Sequence, residues 1–324
     1  MTATKTQHPR TSKALVFDHI SHTLEINPCH PLPTPDFTKG DHLVHPSKYP
    51  DYIFAENPEK EIIPCYDVAG LVIDAPPHSP FQAGDEIYAR TLPSRPGNCR
   101  EYTIVRTNEM ALKPKLLSWL EAASVPLSAV TAWQALFEHA GIEGLRDCNA
   151  AKNRVLVTAA AGGVGVWLVL LARSAGLEVV AQVGSERNEE LVRKLGATSI
   201  VNYRVESLKR WSEREGQVDI VFDLVGGKSV DDQWYCVKDQ GMLISMVEPP
   251  EDRRPADLKG KDVNNLFFIM KPDGEQLAEI SNLLESGQSQ AVVDSVWDFE
   301  DYEGAFARLN SGHATGKVVI KVTG

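Results

Sequence analysis

The stretch Val155-Leu-Val-Thr-Ala-Ala-Ala-Gly-Gly-Val-Gly165 decides the fold of this 324-residue chain. Ala159, Gly162 and Gly165 fall on an AxxGxxG spacing between a predicted strand and a predicted helix. Small residues there let the backbone turn tightly and approach a pyrophosphate, which lies on the helix N-terminus. Because both flanks fit, the turn predicts dinucleotide binding rather than packing alone. The predicted pyrophosphate contacts are Ala160, Gly162, Gly163, Val164 and Gly165.

Strands alternate with helices around this turn. Short apolar runs predict strands over 154–157, 178–183, 199–201, 218–223 and 241–247, and helical spacing predicts helices over 163–175 and 189–195. This alternation is typical of an α/β fold with a Rossmann doubly wound parallel sheet.

The two ends of the chain differ from this middle part. Residues 13–110 carry short strand-like runs separated by prolines and glycines, which favours a β-rich unit. A helical stretch follows, where Ser118 and Glu121 have the spacing of a capping box and a second helix is predicted from about Thr131. Past residue 265, two helices alternate with strands near Val292 and over 317–322.

The end of the second strand of the α/β part indicates which dinucleotide binds. An NAD site needs an acid about 20 residues after the glycine turn to accept from the ribose 2′-hydroxyl. This chain instead has Gln182-Val-Gly-Ser185 at that place. Ser185 and Arg187 offer donors to a 2′-phosphate, and Arg suits that dianion. The sequence therefore predicts NADPH as the cofactor.

Composition excludes several classes of function. The chain is 43% hydrophobic and 24% charged, a balance typical of globular proteins. Its net charge of −11 argues against nucleic acid as a partner, because phosphate binding needs a basic face. No apolar run approaches the roughly 20 residues of a membrane helix. A small molecule is the expected partner.

The cysteines and the first residues bear on the compartment. Five cysteines are scattered without a CxxC pair, which is typical of reduced thiols. Residues 1–10 are basic but lack the apolar core of a secretory signal. A mitochondrial presequence is disfavoured because Pro9 interrupts an amphipathic helix there. We therefore expect a cytoplasmic protein.

Further short motifs follow in a fixed order along the chain. They are PCYDVAG at 64–70, GDEIY at 84–88, VPLSAVTAW at 125–133, LGA at 195–197, VNY at 201–203, FDLVGG at 222–227 and GKVVI at 316–320. With the glycine turn, they resemble the medium-chain dehydrogenase/reductase superfamily, in particular its zinc-independent quinone oxidoreductase and enoyl reductase branch.

The resemblance implies a domain plan. A Rossmann domain over 126–266 would be inserted into a split GroES-like, β-rich catalytic domain, formed by 1–125 and 267–324, with the substrate cleft at their junction. It also implies further cofactor contacts from Thr131, Tyr203, Val247, Phe267 and Phe268. Among these, Tyr203 would contact the 2′-phosphate, and the backbone of the two phenylalanines would hold the carboxamide.

The resemblance also bears on metal and catalysis. The zinc-ligand segment of the zinc-dependent branch corresponds here to Cys65-Tyr66-Asp67, without its histidine, so no metal is predicted. Polarising a substrate oxygen then falls to hydrogen-bond donors. The candidates are the hydroxyls of Tyr49, Tyr52 and Tyr66. Asp67 resembles a supporting acid of the family, with capping of a strand start as the alternative.

The implied activity is hydride transfer from NADPH to an activated double bond or a quinone, as in an enone or an enoyl thioester. Two alternatives stay open. One is a carbonyl or alcohol oxidoreductase. The other is an NADPH-binding protein with a non-redox or sensing role. It arises because the strand after Asp41 is expected to end at Val44, without the substrate-positioning loop of the family.

Two further segments allow two interpretations each. The apolar run 243–247 fits either a sheet edge that pairs two chains in a homodimer, as the family does, or a buried strand. The cations Arg253, Arg254, Lys259 and Lys261 fit either recognition of an acidic or CoA-linked substrate or a solvated loop.

Overall fold

The computed structural model of the chain describes residues 11–18, 23–50, 63–145, 153–287 and 289–322. In chain order its strands and α-helices are β1 (Thr11–Asp18), β2 (Thr23–Pro31), β3 (Asp41–Pro50), β4 (Asp67–Asp74), β5 (Glu86–Arg90), β6 (Thr103–Arg106), β7 (Met110–Leu112), α1 (Trp119–Ala123), α2 (Pro126–Trp133), β8 (Arg154–Val157), α3 (Gly163–Ser174), β9 (Glu178–Val183), α4 (Glu186–Leu195), β10 (Ser199–Asn202), α5 (Leu208–Glu215), β11 (Val218–Asp223), α6 (Ser229–Cys236), β12 (Val237–Ser245), β13 (Val263–Phe267), α7 (Gly274–Glu285), β14 (Val293–Asp298), α8 (Tyr302–Asn310) and β15 (Lys317–Lys321). A π-helical segment, Gln134–His139, continues α2. No helix in these ranges is long and apolar enough to cross a membrane.

Residue contacts divide the described chain into two compact units. The first unit combines residues up to Leu127 with those from Pro272 onward, and the second unit is Ser128–Lys271. The predicted domain borders fall after residues 125 and 266, a few residues before the limits of these units. They stay predictions.

The second unit is built on a parallel sheet of six strands in the order β10-β9-β8-β11-β12-β13. Its central strands are buried, with Leu156, Val180 and Val221 in one apolar cluster. The chain order reverses between β8 and β11, which is the point where doubly wound sheets bind ligands beside the carboxyl ends of their strands. The predicted Rossmann arrangement is therefore confirmed.

Residues 243–245 of the apolar run 243–247 belong to an internal strand of this sheet, and residues 246 and 247 follow it. β12 is hydrogen-bonded to β11 on one side and to β13 on the other. Leu243 and Ile244 are fully buried. Of the two interpretations of this run, the free sheet edge is wrong, because burial between two strands accounts for the apolar side chains.

In the first unit, strands from both ends of the chain share one sheet. Its order is β14-β15-β3-β4-β5-β7, with β6 also paired to β3, while β1 and β2 form a separate antiparallel pair. The pairing of Ile320 with Tyr49 joins the C-terminal strand β15 to β3. The split β-rich domain of the predicted fold class is thus present.

β3 does not end at Val44, as the sequence predicts, but continues to Pro50. His45 pairs with Leu71 of β4, and the register shifts beyond Pro46. A bulge accommodates a residue that cannot donate to the ladder, which is how β3 tolerates this proline. The predicted absence of the family's substrate-positioning loop stays a prediction, because residues 51–62, which follow β3, lie outside the described residues.

Helix α2 begins at Pro126, five residues before the predicted start near Thr131. Proline suits the first position of a helix because its missing N–H would have no partner there. The next amide, Leu127 N, donates to Asp67 Oδ1 at 2.7 Å. The start of α2 therefore depends on a residue 60 positions away, whereas the capping box of α1, from Ser118 and Glu121, is local and is confirmed.

Candidate functional site

The glycine turn lies between β8 and α3 and is held by its own backbone. Ala160 N donates to Gln182 O of β9 at 3.0 Å, and Gly162 N donates to Ala159 O at 2.8 Å. Ala159 has a left-handed φ of 43°. These bonds fix the turn directly before the N-terminus of α3, whose first N–H groups lack partners within the helix.

Steric crowding at the start of α3 requires glycine at residue 165 and favours it at residue 162. A Cβ at Gly165 would lie 2.4 Å from Ala159 O, and a Cβ at Gly162 would lie 3.2 Å from the same oxygen. Gly162, Gly163 and Val164 are partly exposed, so their backbone can be approached from solvent. A tight turn of small residues opening onto a 12-residue helix fits a dinucleotide pyrophosphate.

The end of β9 carries no acidic side chain. Gln182 is buried, and Ser185 caps α4 by accepting from Asn188 N at 3.3 Å. Arg187, in the first turn of α4, is exposed. Glu189 of the same helix accepts from Asn202 Nδ2 at 3.1 Å. The exposed groups here include a hydroxyl and a guanidinium, which suit a phosphate.

Tyr203 lies beside this strand end. Its backbone N–H donates to Val183 O at 3.1 Å, directly after β10 ends. Its ring covers Gly184, where an added Cβ would lie 2.2 Å from Tyr203 Cζ. The Tyr203 side chain is 52% exposed, so the ring borders solvent beside Ser185.

The other strand ends of the sheet add exposed apolar side chains. The large exposed apolar residues that follow or end its strands are Tyr203, Val205, Val225, Val247, Phe267 and Ile269. Phe268 N donates to Ser245 O at 3.2 Å, and the Phe268 ring contacts His139 with centroids 4.2 Å apart. Thr131 is buried within α2. Apart from Thr131, the predicted cofactor positions lie along one edge of the sheet.

The catalytic candidates lie in the first unit. The backbone of Tyr49 belongs to β3, but its side chain and all of Tyr52 lie outside the described residues. The Tyr66 ring is buried, with the Arg90 guanidinium 5.0 Å from its centroid. Burial raises the pKa of the Tyr66 phenol, which keeps its proton on at neutral pH.

Asp67 is fully buried and makes two contacts that tie distant segments together. Its carboxyl group accepts one hydrogen bond from Leu127 N and a second from Lys317 Nζ, at 3.3 Å. Burial raises the pKa of Asp67 and lowers the pKa of Lys317, because the interior disfavours both charges. Of the two predicted roles, these contacts favour capping, although Asp67 caps a helix and not a strand.

The zinc-ligand position of the family's zinc-dependent branch does not fit a metal here. The neighbouring Cys99 thiol and burial raise the pKa of Cys65 well above its ordinary value, whereas zinc needs a thiolate. The Asp67 carboxylate is already engaged by Leu127 and Lys317. Within the described ranges, no group of three or more His, Cys, Asp or Glu could hold a metal ion.

Most cations of the loop after β12 are held by contacts within the protein. Arg253 lies 3.5 Å from Glu248, and Arg254 lies 3.1 Å from Glu251. Lys261 Nζ donates to Trp234 O at 3.2 Å. Three of the four cations singled out in the sequence are thus held by local contacts, and the Arg254 side chain is only 12% exposed, so a solvated loop does not describe them. Recognition of an acidic substrate stays a prediction.

Comparison with known proteins agrees with the fold, although two of the matches are named zinc-binding. A family model described as "Zinc-binding dehydrogenase" matches residues 195–320. An Arthroderma benhamiae protein named "Probable zinc-binding oxidoreductase, mitochondrial" is 43% identical over 330 aligned residues, covering 99% of each chain. An Arabidopsis thaliana protein named "NADPH-dependent alkenal/one oxidoreductase, chloroplastic" is 32% identical over 80% of this chain and 63% of the relative.

Solved structures share the fold. The quinone oxidoreductase from Coxiella burnetii superposes with a TM-score of 0.79 at 24% identity, over 96% of this chain and 99% of that chain. The parallel sheet and the glycine turn, together with the named relatives, identify the chain as an oxidoreductase. The chain belongs to the medium-chain dehydrogenase/reductase superfamily, in its quinone oxidoreductase-like branch.

Proposed function

We propose that this protein is an NADPH-dependent, metal-independent reductase of activated double bonds or quinones. One observation carries the proposal: β9 ends without an acid, the Tyr203 ring covers Gly184 at that strand end, and Ser185 and Arg187 just beyond it are exposed. A ribose 2′-phosphate matches these groups better than a 2′-hydroxyl does. The name of the Arabidopsis relative supports the same cofactor and substrate class.

The glycine turn and α3 would hold the pyrophosphate. Backbone N–H groups of Gly163 and Val164 would provide donors, and the small residues Ala160, Gly162 and Gly165 would keep the space free. Ser185, Arg187 and Tyr203 would surround the 2′-phosphate. A bound NADPH supplies a hydride, and the apolar Val247 and Phe267 side chains would keep water from the nicotinamide end.

Substrate activation is assigned to hydroxyl donors. Tyr49, Tyr52 and Tyr66 remain the proposed donors to the substrate oxygen, with Asp67 as a supporting acid. A phenol donates only while protonated, and burial favours that state in Tyr66. Replacing each tyrosine by phenylalanine removes one hydroxyl at constant ring size. The variant that loses turnover without losing NADPH affinity identifies the donor.

A panel of acceptors tests the reaction class. The purified chain is mixed with NADPH and, separately, benzoquinone, crotonaldehyde, crotonyl-CoA and acetone, and the loss of reduced nicotinamide absorbance is followed. We expect turnover with the quinone or the conjugated carbonyl compounds and none with acetone. Turnover with acetone alone would indicate a carbonyl oxidoreductase. Tight NADPH binding without reduction of any acceptor would overturn the reductase proposal.

Location and assembly are proposed separately. The sequence predicts a cytoplasmic protein, whereas the Arthroderma relative is named mitochondrial. Microscopy of the chain with a C-terminal fluorescent protein decides this, since a mitochondrial pattern would overturn the cytoplasmic prediction. A homodimer could not pair through β12, because β12 is internal. The edge strand on that side of the sheet is β13. Sedimentation equilibrium measures the oligomeric state.

A further inference from the structure

Asp223 is the last residue of β11, and its side chain is fully buried. Its Oδ1 accepts from the N–H groups of Val225 and Gly226, each at 3.1 Å. Gln233 Nε2 donates to the same oxygen at 2.7 Å. Ser245 Oγ, at the end of β12, donates to Oδ2 at 2.7 Å. These four donors compensate the cost of burying a carboxylate.

Ser245 extends the influence of this carboxylate to a second loop. A hydroxyl has one proton, so its donation to Asp223 leaves only lone pairs for other partners. Val247 N donates to Ser245 Oγ at 3.1 Å, and Glu248 N donates to it at 3.2 Å. One buried carboxylate therefore orders the loop after β11 directly and the loop after β12 through a serine.

The two loops also contact each other. A Cβ at Gly226, which has a left-handed φ of 69°, would lie 2.6 Å from Val247 Cγ1. Gly227 N donates to Glu248 Oε1 at 2.7 Å. At their exposed sides the loops present Val225 and Val247, which are 49% and 46% exposed. Two apolar side chains are thus held at the same sheet edge as the glycine turn.

We propose that Asp223 is a positioning residue for the cofactor, acting through the two loops rather than by touching it. This inference rests on the proposed NADPH site. Binding groups must keep their geometry to within roughly half an ångström to be effective. The carboxylate with its serine relay supplies that constraint for Val225 and Val247.

The test compares Asp223→Asn and Ser245→Ala with Asp219→Asn. An amide in place of the Asp223 carboxylate turns one acceptor into a donor facing Ser245, whose lone pairs then serve that amide instead of the loop. Asp219 is a matched control, because it lies in the same strand and accepts from Arg154 N and Lys238 Nζ, each at 2.7 Å. NADPH affinity is measured by calorimetry, and amide hydrogen exchange is followed by mass spectrometry.

We expect Asp223→Asn and Ser245→Ala to weaken NADPH binding about tenfold, because loops that have lost this constraint must be ordered again when NADPH binds. Exchange should accelerate in the 224–227 and 246–248 segments, and KM for NADPH should rise while kcat at saturation holds. Asp219→Asn should match the wild type. Should Asp223→Asn fail to fold, Ser245→Ala still decides, since it removes only the relay.

The outcomes separate the two claims. If the wild type binds NADPH and the affinity is unchanged in Ser245→Ala and in any folded Asp223→Asn protein, only the positioning role is overturned. Equal weakening in Asp219→Asn also overturns it, because the effect would then be general to the strand. Absence of NADPH binding by the wild-type chain overturns the proposed function and this inference together.

Discussion

The ring of Tyr203 lies over the backbone of Gly184, so that a methyl group on residue 184 would lie 2.2 Å from Tyr203 Cζ. This contact brings the end of β9 against the residue that follows β10. It places an exposed aromatic ring beside Ser185, where the proposed 2′-phosphate is bound. The ring can therefore keep this position only while residue 184 is a glycine.

Gly184→Ala should displace Tyr203. Because the clash falls on the far end of a half-exposed side chain, it should cost less than the roughly 1–3 kcal/mol of overpacking in a core. The displaced ring should nevertheless weaken NADPH binding. In a Tyr203→Ala background the same substitution should cost much less, because the clashing ring is gone. Chemical denaturation and NADPH titration of all four chains measure this coupling. Equal costs of Gly184→Ala in both backgrounds would show that the ring does not fill this space.

Gly165→Ala should abolish NADPH binding. The added methyl would lie 2.4 Å from Ala159 O, a backbone atom that cannot move without opening the turn. Gly260→Ala is the matched control, because no atom lies within 4 Å of its added Cβ. Calorimetric titration with NADPH compares the two. Wild-type affinity in Gly165→Ala would contradict the assignment of the turn to the pyrophosphate.

Arg187→Ala should weaken NADPH about tenfold and leave NADH unchanged, since a charge-assisted contact to phosphate is worth more than about 1.4 kcal/mol. Lys194→Ala removes an exposed cation from the last turn of the same helix and should alter neither affinity. Both are measured by titration with each nucleotide. An equal loss for NADPH and NADH would place Arg187 away from the 2′-phosphate.

Stability should depend on pH through Asp67. Burial raises the pKa of Asp67 to about 8, whereas an unfolded aspartate titrates near 3.9. Since the folded chain keeps the proton longer, this contribution stabilises it in acid and is lost as pH rises toward 8. Lys317, with a pKa lowered to about 7, stays protonated in both states below about pH 6.5.

The free energy of unfolding contributed by this carboxyl should therefore fall between about pH 5 and 6.5. Asp67→Asn should lack that fall, and Asp74→Asn, at the exposed end of the same strand, should retain it. Urea unfolding at several pH values gives the profiles. Identical slopes in the wild type and Asp67→Asn would contradict the raised pKa.

Chelation tests the proposed independence from metal. Because Cys65 and Asp67 are engaged by Cys99, Leu127 and Lys317, dialysis against EDTA should leave the reductase rate unchanged. Metal analysis of the untreated protein accompanies the assay. A rate that falls on chelation and returns with added Zn²⁺ would refute metal independence.

The α/β part of the chain could be predicted well because its signals are local. Apolar runs such as 154–157 and the small residues of the glycine turn specify strand, turn and helix within a few residues. Helix α5 is missing from the sequence-based prediction because only Leu208 and Trp211 of its eight residues are apolar, although the buried residues Leu208, Trp211 and Ser212 have helical spacing. Strand β7 is likewise not predicted from the sequence, because three residues are too few to show an alternating pattern.

The remaining features depend on contacts between distant residues. Asp67 and Lys317 are 250 positions apart, so their pairing leaves no trace in local spacing. The continuation of β3 through Pro46 and Pro50 depends on partners in β4 and β15 that override the usual effect of proline. The hydrogen bonds of Asp223 likewise join the ends of two strands that are adjacent only in the folded sheet.

The choice between the two nicotinamide cofactors tests the central claim most directly. Initial rates with a fixed quinone concentration are measured against NADPH and against NADH. We predict that kcat/KM for NADPH exceeds that for NADH by at least about tenfold, as one charge-assisted contact to the 2′-phosphate requires. Equal values for the two cofactors, or a preference for NADH, would contradict the assignment of Ser185, Arg187 and Tyr203 to a 2′-phosphate site.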